Sequence, residues 1–169
     1  IWIATVLAIL AGFGRLFAQD VRDGWLDQVS LSQLGLGWYA LAKAISHWLI
    51  AGLPLLIMTP VMAAMLNIPF SQLPVLMTAM LIGSMALTLL GIIGAALAEG
   101  ARRGGALMAL LVLPLSVPIL IFGALASAND DGIISPHLML LGAVFAVLLA
   151  LAPLVAASAL ETGETETGY

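Results

Sequence analysis

The sequence predicts an all-α polytopic membrane bundle, with five spans visible of an expected six, and three observations carry that prediction. Of the 169 residues, 63% are hydrophobic and only 8% charged, and mean hydropathy is +1.18; ordinary soluble domains carry about 25% charged residues. The apolar residues fall in long runs, and a helix needs about 20 of them to cross a hydrocarbon core of about 30 Å. The charges are crowded into short stretches: Arg15, Asp20, Arg22, Asp23 and Asp27 in one, and Glu99, Arg102 and Arg103 in another. Lipid tolerates apolar helices but not unpaired charge, so both stretches belong at a water interface.

The first span, about 1–17, is short. The chain has no initiator methionine and opens inside an apolar run, which is read as the cut end of a longer protein. No basic segment followed by a small-residue cleavage site marks a secretory signal. The second span runs over about 39–66, the third 73–98, the fourth 106–126 and the fifth 138–160. Turn-forming residues separate them: Asn67-Ile68-Pro69, Glu99-Gly100 and Asn129-Asp130-Asp131-Gly132. Pro54 and Pro60 interrupt the second span, Pro114 and Pro118 the fourth, and Pro153 the fifth, each removing a backbone donor. Gly83, Gly91 and Gly94 allow close helix contact along the third. Residues 1–160 form the permease body. Residues 161–169, a Glu-Thr-Gly repeat without apolar periodicity, are expected to be a disordered tail or a remnant foreign to the fold.

Orientation follows from the basic residues, which are retained on the cytoplasmic side. Arg15, Arg22, Arg102 and Arg103 fall in the connections 15–38 and 99–105, whereas 67–72 and 127–137 contain neither Lys nor Arg. The expected C-terminus is therefore cytoplasmic. Within 16–34, Phe17, Val21, Trp25 and Val29 recur every fourth residue, the apolar stripe of an amphipathic helix, with Asp20, Asp23 and Asp27 on its other faces. Gly24 in its midst suggests close backbone approach or a break between two short helices. A purely lipid-binding helix would favour basic residues, and acidic ones are repelled by anionic headgroups. The stretch Phe17, Asp20, Val21, Asp23, Gly24, Trp25, Asp27 and Gln28 is therefore expected to dock a soluble protein.

Several segments together resemble the haem-exporter permease of cytochrome c maturation, the CcmB family, a membrane subunit of the type-2 ABC exporter class. They are RLFAQDVRDGWLDQ at 15–28, AKAISHW at 42–48, GLPLL at 52–56, RRGG at 102–105 and LVLPLSVP at 111–118. Together they cover about 15–126. The resemblance implies six helices in the bacterial inner membrane and a cytoplasmic ABC ATPase partner, with residues 16–34 as the coupling element. It also implies a haem-handling membrane protein and a small membrane subunit in the same complex, which releases haem-loaded periplasmic chaperone. ATP then belongs to the partner and haem to the complex, with no cofactor assigned to this chain.

Few other residues could carry chemistry. Zero cysteines exclude disulfides, thiolate metal sites and covalent haem attachment. The five basic residues form no stripe for nucleic acid, and no G-x-x-x-x-G-K-[ST] nucleotide loop occurs. Lys43 and His47 share a face of the second span at i, i+4, near the cytoplasmic end where a lysine can snorkel; they are expected at an interface or along the pathway, as are Arg102 and Arg103. His137, in an outer connection, is a candidate haem contact. Met58, Met62 and Met65 read as adaptable packing, and Asp130-Asp131 alone make a weak cation site. Two other functions stay open from the residues alone: an exporter of lipid or drug, and an intramembrane enzyme. The second would need Ser46 and His47 to meet, and adjacent helical residues do not face each other.

Overall fold

The computed structural model describes residues 1–13, 16–31, 35–100, 104–128 and 135–165. All regular structure among them is helical: α1 (Trp2–Leu10), α2 (Ala18–Arg22), α3 (Trp25–Ser30), α4 (Gly35–His47), a π-helical turn (Trp48–Gly52), α5 (Leu53–Met65), a 3-10 turn (Phe70–Gln72), α6 (Leu73–Gly100), α7 (Gly104–Ala128) and α8 (Pro136–Thr165). Residues 35–65 run as one helix through the π turn. With α6, α7 and α8 it makes four helices long and apolar enough to cross a membrane. The protein is a multi-pass membrane bundle.

The four long helices begin and end within about five residues of the expected spans. Their ends carry recognisable chemistry. Asn67 takes a left-handed conformation (φ 55°) after α5, and the Ile68 N–H reaches back to the Ala63 carbonyl while the Asn67 N–H reaches Ala64, closing the helix. Ser135 opens α8, its hydroxyl accepting the Leu138 N–H at 3.2 Å, and Pro136 occupies the first position, where a missing N–H costs nothing.

α6 is the central post. It packs against α1, α4, α5, α7 and α8, most extensively against α7 and α8. Of its best membrane-length stretch, 78% is buried, against 17–28% for the other three. α1 fastens to this post by its aromatic residues. The Trp2 ring occupies the space that side chains at Gly83 (α6) and Gly123 (α7) would need, 2.6 and 2.4 Å from where their Cβ atoms would stand, and its indole N–H donates to the Ser127 hydroxyl at 3.3 Å. Phe13 fills the corresponding notch at Gly91. In lipid, such close packing rather than hydrophobic burial holds helices together.

Three expectations change. The first span does not continue to residue 17: α1 is nine residues, about 13 Å long, and the chain turns at 11–13, where Phe13 enters α6 and Gly12 makes room for the His47 ring. The stripe Phe17–Val21–Trp25–Val29 does not lie on one continuous helix. Gly24 has φ +66°, a left-handed conformation that breaks α2 from α3, so Leu26 turns inward and Trp25 stays half exposed. Of the two readings of Gly24, the break is the one observed. The expected irregular tail is helical as far as Thr165, since adding residues to an existing helix costs little; residues 166–169 lie outside the described residues.

Candidate functional site at the charged end of the bundle

The alternation of the long helices gathers residues 11–13 and 16–31, the start of α4, the end of α6 and the start of α7 at one end. The polar contacts there centre on one face of α4. Tyr39, Lys43 and His47 recur every four residues, so they stack on one side of the helix. Each reaches into the segment between α1 and α3.

Lys43 is an ion-pair partner of Asp20 and also donates to the Leu16 carbonyl at 2.8 Å. The Tyr39 hydroxyl donates to the same Asp20 oxygen, Oδ2, at 2.6 Å. The Lys43 ammonium lies 5.9 Å from the Phe17 ring centroid and 5.8 Å from that of Tyr39. Both members of the pair are largely covered, at 26% and 20% side-chain exposure for Lys43 and Asp20. Lys43 stands about 12 Å along the helix from Gly35. A lysine at that depth is costly unless paired, and here the carboxylate, a carbonyl and two aromatic faces surround it.

His47 lies one turn further in. Its Nε2 is 2.9 Å from the Ile9 carbonyl, which only accepts, so Nε2 carries the proton. That carbonyl belongs to the last turn of α1, where helix carbonyls lack internal partners. The ring packs on Phe13 with centroids 4.1 Å apart. Trp48 follows, its indole N–H donating to Ser84 of α6 at 3.0 Å. The Ser46 hydroxyl instead donates to Ala42 of its own helix at 2.9 Å. Ser46 and His47 thus engage different partners, and no nucleophile–base contact joins them.

The π turn begins where this polar face ends. The Leu53 N–H bonds to the Trp48 carbonyl five residues back, and Pro54, next in sequence, has no N–H to offer the Ile50 carbonyl. The helix widens around that missing donor.

The predicted docking residues divide. Phe17 is buried at 1% exposure and Asp20 is held by Lys43 and Tyr39, so both face the bundle. Arg22, Asp23 and Gln28 are exposed, with Trp25 at 50% and Leu31 at 89%, while Gly24 forms the break between the helices. The side chains of Val21 and Asp27, together with Arg102, Arg103, Asp130 and Asp131, lie outside the described residues. His137 is partly buried in the first turn of α8, at the opposite end. Met58 and Met65 are exposed on α5. Among the described residues, no group of three or more His, Cys, Asp or Glu could hold a metal.

The sequence pattern pairs Lys43 with His47 but gives Tyr39 no role, and it sets Asp20 on a face other than the apolar stripe. The 39/43/47 spacing was the available signal; nothing local said that Asp20 would turn toward it.

Comparison with known proteins identifies the lineage. Residues 1–163 match the family described as CcmB protein. Among similar proteins is heme exporter protein B of Pseudomonas aeruginosa, 43% identical over 163 residues, covering 95% of this chain and 73% of that one. The protein of the same name from Paracoccus denitrificans is 43% identical over 162 residues, covering 95% and 74%. That of Bradyrhizobium diazoefficiens is 44% identical over 170 residues, covering 96% and 75%. On a match across nearly its whole length, this chain belongs to the CcmB protein family.

Proposed function

We propose that this chain is a membrane subunit of a haem exporter serving c-type cytochrome biogenesis in the bacterial inner membrane, driven by ATP hydrolysed in a cytoplasmic partner. The observation that carries the reading is the exposed patch of Asp23, Trp25, Gln28 and Leu31, mounted on a segment whose other side is fastened to α4. An aromatic and a large aliphatic residue beside a carboxylate suit a protein groove with a basic rim better than an anionic lipid surface. The sequence has no nucleotide-binding loop of its own, which fits an ATPase supplied in trans. The relatives' name supplies haem as the cargo. The distribution of arginines supports placing the charged end, and the C-terminus, in the cytoplasm.

In this reading the ATPase seats on the patch and its nucleotide-driven motion passes through 16–31 to the bundle. The work is delivered at the opposite face, where a haem-handling membrane protein and a small membrane subunit stand beside the chain and haem-loaded chaperone is released to the periplasm. His137, in the first turn of α8 near that face, is the haem contact proposed for this chain. The test is copurification. Asp23→Lys with Trp25→Ala should remove the ATPase from complexes isolated from native membranes while this chain stays at wild-type level. Retention of the full amount of ATPase would overturn the docking surface.

A further inference from the structure

The patch can transmit force only if its mounting is stiff, and the mounting combines apolar packing with one polar cluster. α2 and α3 are five and six residues long, too short to be stable alone. Two kinds of contact hold them to the bundle: Phe17 and Leu26, which are buried, and Asp20, gripped by Lys43 and Tyr39. Apolar contacts resist separation but allow sliding; an ion pair with two additional hydrogen bonds also fixes direction. The Lys43 bond to the Leu16 carbonyl and the His47 bond to Ile9 extend the same grip to the end of α1. The gripping side chains Tyr39, Lys43 and His47 all stem from α4, and α4 ends at the π turn, where the α-helical bonding pattern is interrupted.

We propose that Tyr39 and Lys43 are positioning residues that lock residues 16–20 onto α4, so that the two move as one lever about the π-helical turn Trp48–Gly52, with His47, bonded to Ile9 of α1, beside the pivot. The proposal rests on the docking reading above for its function, but the lock itself can be measured without any partner. Displacement of the patch turns the start of α4 about the π turn relative to α6, while Phe13, seated at Gly91, and the α1 end of the chain stay with that post. Trp48, bonded to Ser84, marks where the lever meets the fixed post. Removing the lock leaves the patch intact and able to bind, yet disconnected from the span.

The chain contains no cysteine, so a single Gln28→Cys carries a spin label at an exposed site of the full chain in nanodiscs. Lys43→Met should narrow the label's spectrum, reporting faster motion of α3, and the exchanged pair Asp20→Lys with Lys43→Asp should restore the broad wild-type line. In the whole complex, Lys43→Met should keep the ATPase bound but lower cytochrome c maturation at least tenfold, again recovered by the exchanged pair. A general folding defect would instead lower the amount of complex and not split binding from output. An unchanged spectrum in Lys43→Met overturns the lock. A mobile label with full maturation overturns the lever. If neither Asp23→Lys nor Trp25→Ala weakens ATPase binding, the docking reading is refuted instead, and the spectral result still decides the lock.

Discussion

Two helices of similar length are held in opposite ways. α6, at 28 residues, is enclosed by protein and fastened by apolar packing, with Trp2 and Phe13 seated at Gly83 and Gly91. The helix Gly35–Met65, at 31 residues, is covered over only 17% of its best membrane-length stretch, and it is fastened by Lys43, His47 and Trp48. The first is unbroken; the second contains a π turn and two prolines. A helix surrounded on all sides is positioned by shape. One at the edge, with most of its membrane-length stretch left uncovered by the rest of the chain, gains direction from polar bonds that cannot slide.

That contrast can be broken at graded cost. Gly91→Leu should be the most damaging change, because a side chain there overlaps Phe13: a loss of about 1–3 kcal/mol or more is expected, seen as a lower Tm in detergent and reduced membrane levels. Lys43→Met should cost about 1–2 kcal/mol, less than a fully buried pair because solvent reaches both partners. Trp48→Phe removes one interhelical hydrogen bond, to Ser84, and should cost about 0.6 kcal/mol by the same melting measurement. Ser127→Ala deletes the longer contact to Trp2 and should fall below that. If Lys43→Met proved more harmful than Gly91→Leu, polar bonding rather than shape would dominate the whole bundle and the contrast would fail. Asp23→Lys, on the exposed patch, should leave the Tm unchanged.

The spans were legible because lipid enforces a simple rule: apolar runs of sufficient length, bounded by Asn, Gly and Pro, have one stable form. Leu73–Gly100 follows that rule closely. The charged end was legible as an interface but not in its detail. Fourfold spacing assumes one continuous helix, and a left-handed Gly24 turns the residues after it onto a new face, which is why Leu26 rather than Trp25 is buried. Asp20 falls off the apolar stripe, although as the i+3 neighbour of Phe17 it borders it. Its partner lies 23 positions later, and the packing of α3 on α4, with α2 beside α3, brings them together. The π turn had a visible cue in Pro54, yet proline alone does not specify whether a helix kinks or widens.

The most direct test uses the absence of native cysteine. Asp23→Cys and Phe70→Cys place single thiols at exposed positions on opposite ends of the bundle. With a membrane-impermeant thiol reagent, Phe70→Cys should label from the periplasmic side of intact cells and Asp23→Cys only in inverted membrane vesicles. Labelling of Asp23→Cys from the periplasm would put the charged end on the wrong side for a cytoplasmic ATPase and contradict the account.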